Sequence, residues 1–249
     1  MLKAIIFDVD GTIAETEEYH RVSFNQLFAE EGLDWHWSED DYRGLLRITG
    51  GKERMRHYIS ERSDLDLNEF PEDRLLAMHK RKSTLYRVGL ENNPPQARPG
   101  IKRLVDNAIE NGIILALATT TGRSNADALL LDLFSPAIFE KFSVRICGED
   151  VDVKKPDPEV YLKALAGVGV KPEEAIALED SSAGLKSARN AGMQCVVTPA
   201  QYTSHHTFDG ALAVVSHLGE RLDPYQHIMG EGRGDNFVTC DTIAKWMAS

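Results

Sequence analysis

A short apolar run, Ala4-Ile5-Ile6-Phe7, stops at two acids, Asp8 and Asp10, and a Gly11-Thr12 turn. A continuous β-prone run of this length suits a strand buried on both faces, as in parallel sheets covered by helices. In such sheets ligands gather at the carboxyl ends of the strands. Two carboxylates placed there repel each other unless a cation or a shared proton intervenes. The same residues also read as a strand running into an acidic turn, so the later segments must decide.

After Thr12 the pattern becomes helical. Phe24, Leu27 and Phe28 share one face, and Gly32 offers a stop. Ser38 with Asp41 reads as an N-cap and its partner. Met55, Tyr58 and Ile59 fit a short helix, and a longer one is expected from about 72 to 88. No strand is visible between about 16 and 93. Asn92-Asn93-Pro94-Pro95 then breaks the chain, and the rhythm changes. A helix through Ile101, Leu104, Val105 and Ala108 leads to a buried strand, Ile113 to Ala118. Further strands are expected near 144–147, 175–178, 195–198 and 212–215, with helices between them. Asp157-Pro158 marks one helix start, and Ser181 or Ser182 another. Alternation of this kind means α/β, with a parallel Rossmann-like sheet and helices on both faces. The expected organisation is a catalytic core from residues 1–15 and 94–249, with a small all-helical cap, 16–93, inserted after the first strand. The last thirty or so residues read as loop and a short tail helix.

Charge narrows the partners. A net charge of -11 argues against nucleic acid and anionic membranes, and an anionic substrate would need a local basic pocket. Cys147, Cys195 and Cys240 are widely spaced and odd in number, which fits a reducing compartment better than a disulfide framework. Met1-Leu2-Lys3 enters the first strand with no secretory h-region or transit pattern, and no apolar run reaches the ~20 residues of a membrane span. The expectation is a cytoplasmic monomer acting on a small molecule.

Three later segments join Asp8 and Asp10 at the ligand-binding side of the sheet. Thr119 ends the second strand, Lys155 lies in Asp152-Val153-Lys154-Lys155-Pro156, and Glu179-Asp180 end a later strand. The carboxylates are the oxygen ligands of a hard cation such as Mg²⁺, which keeps several waters and takes substrate phosphate. Thr119 offers a hydroxyl to phosphoryl oxygens, and Lys155 a point charge. A carboxylate can also attack phosphorus and carry an aspartyl-phosphate. Each segment has a plainer reading: Thr119 as a strand terminator, Lys155 as a solvated loop charge, Glu179-Asp180-Ser181 as a helix cap. Their joint occurrence, in this order and at strand ends, favours a site.

D-V-D-G-T, apolar-A-T, K-P-D-P and L-E-D-S-x-x-G-L together resemble the four motifs of the haloacid dehalogenase-like hydrolase superfamily, over residues 1 to 218. The helical insert resembles the cap of its β-phosphoglucomutase-like subfamily. The resemblance implies that Asp8 is the nucleophile and that Asp10 is the acid/base, its carbonyl binding Mg²⁺. It further implies that Thr119 and Lys155 hold the phosphoryl group. Asp180 would ligate Mg²⁺, with Glu179 in or near that shell and Thr12 beside the nucleophile.

A-E-T-E-E-x-H at 14–20, T-G-G-K-E-R at 49–54, H-K-R-K at 79–82 and A-T-T-T at 118–121 resemble CbbY-type phosphatases. That group is linked to the Calvin cycle and removes phosphate from xylulose-1,5-bisphosphate. A bisphosphate needs a second anion site. Gly50 and Gly51 can present N–H groups, with Lys52 and Arg54 adding charge. His79 and Lys82 share a helix face at i, i+3, which leaves Lys80 and Arg81 to solvent. Arg123, Thr120 and Thr121 follow the second strand as further substrate contacts, and Glu17 and His20 could bond sugar hydroxyls. Three other readings stay open. A β-phosphoglucomutase is disfavoured by Lys52 where an arginine-bearing loop is typical of mutases. A phosphoglycolate phosphatase would not need the basic cap cluster. A non-catalytic protein on this fold could dispense with Asp8, Asp10, Lys155 and Asp180.

Overall fold

The computed structural model describes residues 1–249. The chain divides into two compact units: Met1–Glu15 with Pro95–Ser249, and Thr16–Pro94. It opens with β1 (Ala4–Phe7), buried at every position.

The second unit is helical: α1 (Glu17–Glu30), α2 (Glu39–Leu45), α3 (Gly51–Ser60) and α4 (Glu72–Asn92). Ser38 caps α2 by accepting from the Asp41 N–H, and the Asp41 carboxylate accepts from the Ser38 N–H at 3.0 Å. Aromatic residues spaced to one face of α1 form the interior. Phe24 and Phe28 pack on Trp37 at 4.7 and 4.8 Å between ring centroids, and Phe28 meets Trp35 at 5.2 Å.

The remaining elements are α5 (Ile101–Glu110), β2 (Ile114–Ala118), α6 (Arg123–Leu133), α7 (Pro136–Phe139), β3 (Phe142–Ile146), α8 (Glu159–Val168) and β4 (Ala175–Glu179). They are followed by α9 (Ser182–Asn190), β5 (Gln194–Val197), β6 (Ala213–Val215), β7 (His227–Gly230) and α10 (Cys240–Met247). The sheet order is β3-β2-β1-β4-β5-β6-β7. β1 lies between β2 and β4, parallel to both, with Phe7 level with Leu117 and Leu178. The next residues along, Asp8, Ala118 and Glu179, therefore emerge side by side. Strand order reverses direction at β1, the crevice where open α/β sheets bind ligands. Below that end, Ile6, Ala116 and Ala177 pack against Tyr161, Ala164, Leu165 and Leu185 of α8 and α9.

The tail contributes more than a loop and a helix. β7 pairs antiparallel with β6, placing Met229 opposite Val214. It is an edge strand with three of its four residues exposed, so it carries no apolar pattern to reveal it. Asp157 does not cap α8 directly; its carboxylate accepts from the Glu159 N–H at 2.9 Å while Pro158 occupies the N-cap position. No helix is long and apolar enough to cross a membrane, and all three cysteines are buried thiols.

Candidate active site

The carboxyl ends of β1 and β4 bring Asp8, Glu179 and Asp180 together. One ligand oxygen from each lies within 4.8 Å of the others, and all three side chains are buried. Lys155 enters this group from its loop. Its ammonium donates to Asp8 Oδ1 at 2.7 Å, Glu179 Oε1 at 2.6 Å and the Ala118 carbonyl at 2.8 Å. Burial works against its charge, but Asp8 and Glu179 outweigh that and hold its pKa above the ordinary lysine range.

One ammonium cannot balance this much negative charge. Burial raises the Asp8 carboxyl to about 7, with Lys155 opposing and Glu179 and Asp10 reinforcing the rise. Three buried carboxylates against one cation form a hard-oxygen donor set that suits a divalent ion such as Mg²⁺. Asp8, Glu179 and Asp180 are the residues that would hold it.

Hydroxyls hold the carboxylates further. Thr12 donates to Asp8 Oδ2 at 3.2 Å, and Thr203 to Asp180 Oδ2 at 2.9 Å. The Thr121 hydroxyl donates to Asp10 Oδ2. Tyr161 donates to Glu179 Oε1 at 2.6 Å. Thr119 Oγ1 accepts from the Thr121 N–H at 3.1 Å, while its own N–H is taken by Ile146 O at 3.0 Å. Two glycines make the crowding possible. Gly11 has φ +78°, and a Cβ there would strike the Asp180 carboxylate; a Cβ on Gly184 would strike Glu179.

Neither Tyr161 nor Thr203 stands out in the sequence as a site residue. Tyr161 lies on the apolar face of α8, where its hydroxyl gives no separate signal. Thr203 is twenty-three positions from its partner, with no local motif. Arg123 was expected at the substrate. Here its guanidinium donates to Asp150 at 2.5 Å and to the Arg145 carbonyl at 3.0 Å. Thr120 is half-buried beside Gly148 at the end of β2.

Within the helical unit a second polar group forms. Lys82 is 3% exposed and its ammonium touches His20 Nδ1. His20 stacks on Tyr86 at 4.1 Å, and Lys82 lies 4.7 Å from the Phe24 ring centroid. Arg54 is buried and donates to the Tyr42 hydroxyl at 2.7 Å and to the carbonyls of Leu45 and Ile48. Tyr42 in turn donates to Glu17 at 2.9 Å. Arg54 thus helps fasten α2 to α3. Gly50 caps α3, and a side chain on Gly51 would meet His79. Lys52 pairs with Glu72 at 2.8 Å on the surface, and Arg81 with Glu30 at 2.7 Å.

His79 registers the field of this group. Burial lowers its pKa to about 4, and Lys82, His20, Lys52 and Arg54 push the same way. Its folded value is below the ordinary 6.5, so the stability it contributes is present above pH 6.5 and is lost as pH falls towards 4. Thermal melts between those limits should therefore fall more steeply for the wild type than for His79→Gln. Parallel curves would show that His79 is not buried neutral.

Fold and site together define an α/β enzyme with an acidic, cation-ready centre at its sheet crevice. The family description haloacid dehalogenase-like hydrolase matches residues 5–198. Protein CbbY of Rhodobacter capsulatus is 48% identical over 211 residues, 84% of this chain and 91% of that one. A crystal structure of mutant CbbY from Rhodobacter sphaeroides in complex with xylulose-(1,5)bisphosphate aligns with TM-score 0.82 at 41% identity. It covers 87% of this chain and 95% of that one. The β-phosphoglucomutase of Bacillus subtilis is 29% identical over 206 residues, 78% of this chain and 82% of that one. The chain belongs to the haloacid dehalogenase-like hydrolases, as a phosphatase of the CbbY type.

Proposed function

We propose that this phosphatase removes one phosphate from a sugar bisphosphate, xylulose-1,5-bisphosphate, giving xylulose 5-phosphate, through an aspartyl-phosphate on Asp8. The observation that carries the phosphoryl-transfer chemistry is the buried Asp8–Lys155–Glu179 cluster beside Asp180. Asp8 attacks phosphorus, its carboxylate held in place by Lys155 and Thr12. Lys155 also draws charge from the transferring group. Asp10, oriented by Thr121, protonates the leaving sugar oxygen. In the second step Asp10 takes a proton from water, which then hydrolyses the aspartyl-phosphate. Mg²⁺, held by Asp8, Glu179 and Asp180, supplies charge neutralisation for the phosphoryl oxygens when bound.

Support for a bisphosphate comes from the helical unit. A chain of net charge -11 concentrates His20, Arg54, His79 and Lys82 there, close enough for the cations to depress His79. Residues 16–94 are accordingly the substrate-selecting part, and Lys52 exchanges Glu72 for the distal phosphate. The sugar itself rests on the likeness to CbbY, whose structure holds that bisphosphate.

The test is phosphate release with and without Mg²⁺ from xylulose-1,5-bisphosphate, ribulose-1,5-bisphosphate, 2-phosphoglycolate and β-glucose 1-phosphate. The expected outcome is Mg²⁺-dependent hydrolysis of the first, with at least about a tenfold lower kcat/KM on the others. Conversion of β-glucose 1-phosphate to glucose 6-phosphate would instead make the enzyme a mutase. Equal rates on all four would remove the sugar assignment and keep the chemistry.

A further inference from the structure

Arg98 has no place in the chemistry above, yet its guanidinium donates five hydrogen bonds and meets a carboxylate. It is 9% exposed and sits four residues into the second segment of the α/β unit. Nη1 donates to the Gly11 carbonyl, to Thr198 O at 2.6 Å and to Thr198 Oγ1 at 3.0 Å. Nη2 donates to Pro199 O at 2.8 Å and Ser216 O at 3.1 Å, and Nε faces Glu15 at 3.3 Å. Its backbone N–H donates to Ile13 O at 2.8 Å.

Those acceptors are not scattered. Gly11 directly follows Asp10, and its own φ of +78° lets it lie against Asp180. Thr198 and Pro199 follow β5 and lead into the turn in which Ala200 N–H donates to Thr203 Oγ1, itself the donor to Asp180 Oδ2. Ser216 follows β6. One planar fork thus cross-links the loop bearing Asp8 and Asp10 to the turn that holds Asp180. The five guanidinium hydrogen bonds span 87 to 118 positions of sequence. Neutral carbonyls make up most of the set, so geometry matters more than charge. A lysine ammonium, with three donors and no fixed plane, cannot serve them all.

We infer that Arg98 is a positioning residue for phosphoryl transfer, holding the Gly11 carbonyl and the Thr198–Pro199 turn so that Asp10 and Asp180 keep their separation. This rests on the phosphatase chemistry proposed for Asp8 and Asp10, and not on the identity of the sugar. Displacing a catalytic group by about 1 Å costs on the order of 100-fold in rate. None of the acceptors belongs to the residues proposed to contact substrate, so the effect is expected on kcat.

Arg98→Lys and Arg98→Met are assayed with p-nitrophenyl phosphate and Mg²⁺, well below their melting temperatures and per mole of folded protein by circular dichroism. The expected result is a fall in kcat of about 10- to 100-fold for both, with KM within about twofold. Guanidinium at millimolar levels should restore part of the kcat of Arg98→Ala, which a loss of stability alone would not allow. A kcat for Arg98→Lys within about twofold of wild type, or a loss carried by KM, overturns the assignment. Should the Arg98 variants fail to fold, Thr198→Val removes one acceptor from the fork. It should lower kcat about 3- to 10-fold, the worth of one hydrogen bond, and an unchanged kcat overturns the assignment. A wild type inactive on p-nitrophenyl phosphate would instead defeat the phosphatase reading, and the role of Arg98 with it.

Discussion

Asp8→Asn should stop phosphate release, by at least about 10⁴-fold, and leave the metal-free protein no less stable at alkaline pH. The amide cannot attack phosphorus, so the loss is in kcat on every substrate. The stability half follows from burial. Asp8 has a folded pKa of about 7 against an ordinary 3.8. A carboxyl raised in this way contributes stability that is complete below about pH 4 and is lost as pH rises through about 7. The amide never ionises, so it avoids that loss. Melts in chelator at pH 5 and pH 8 should show Asn gaining on Asp as pH rises. A variant that still released phosphate at a tenth of the normal rate would remove Asp8 as nucleophile. A variant that lost stability relative to wild type on going from pH 5 to pH 8 would contradict the electrostatics.

Lys155→Met should be the most destabilising substitution at the site. Its ammonium is 4% exposed and is shared by Asp8 and by Glu179, which is fully buried. Removing it leaves two buried carboxylates facing each other, a situation that costs roughly 3–5 kcal/mol. For a chain of this size that is a fall of about 10 °C in Tm. Activity should drop by about 10²- to 10³-fold as well, because in the proposed mechanism the lost charge would also stabilise the transferring phosphoryl group. Mg²⁺ should recover part of the stability, since a cation among the same carboxylates replaces the missing charge. A Tm within 2 °C of wild type in chelator would show that the carboxylates neutralise themselves by another route.

The parts of this molecule that were legible in the sequence share one property. Their signal is local. Phe7 and Asp8 adjoin, so the end of a buried strand and its acid could be read together. The Ser38–Asp41 box spans three residues, and the α5 face repeats every turn. Lys155 and Glu179 stand out in the sequence because each sits in its own compact motif. Tyr161, Thr203 and Arg98 do not, because their meaning arises only on closure of the sheet. Tyr161 looks like one more apolar-face residue until β4 brings Glu179 against it at 2.6 Å. Arg98 precedes Pro99 in what reads as a linker, and its acceptors come from three distant loops. The basic residues at 79–82 split as helix geometry requires, with Lys82 buried and Arg81 paired with Glu30 at the surface. That Arg54 would fasten α2 to α3 was not readable, because its partners are mostly carbonyls, which every residue has.

One small feature has a large bearing on how such a chain can be built and rebuilt. Ala14 and Ala97 form an antiparallel bridge, and Arg98 N–H bonds Ile13 O beside it. The chain therefore leaves the α/β unit and re-enters it through a short antiparallel ladder, with its ends already side by side. Residues 16–94 hang from that ladder as a contiguous segment with its own interior. Loop-closure entropy grows only with the logarithm of length, so a long or a short segment can be carried there at similar cost to the sheet. β1 must still find β2 and β4 across the insertion, and a segment that folds by itself shortens that search. The ladder is thus a socket. It lets one scaffold accept different inserts without re-registering its central strands.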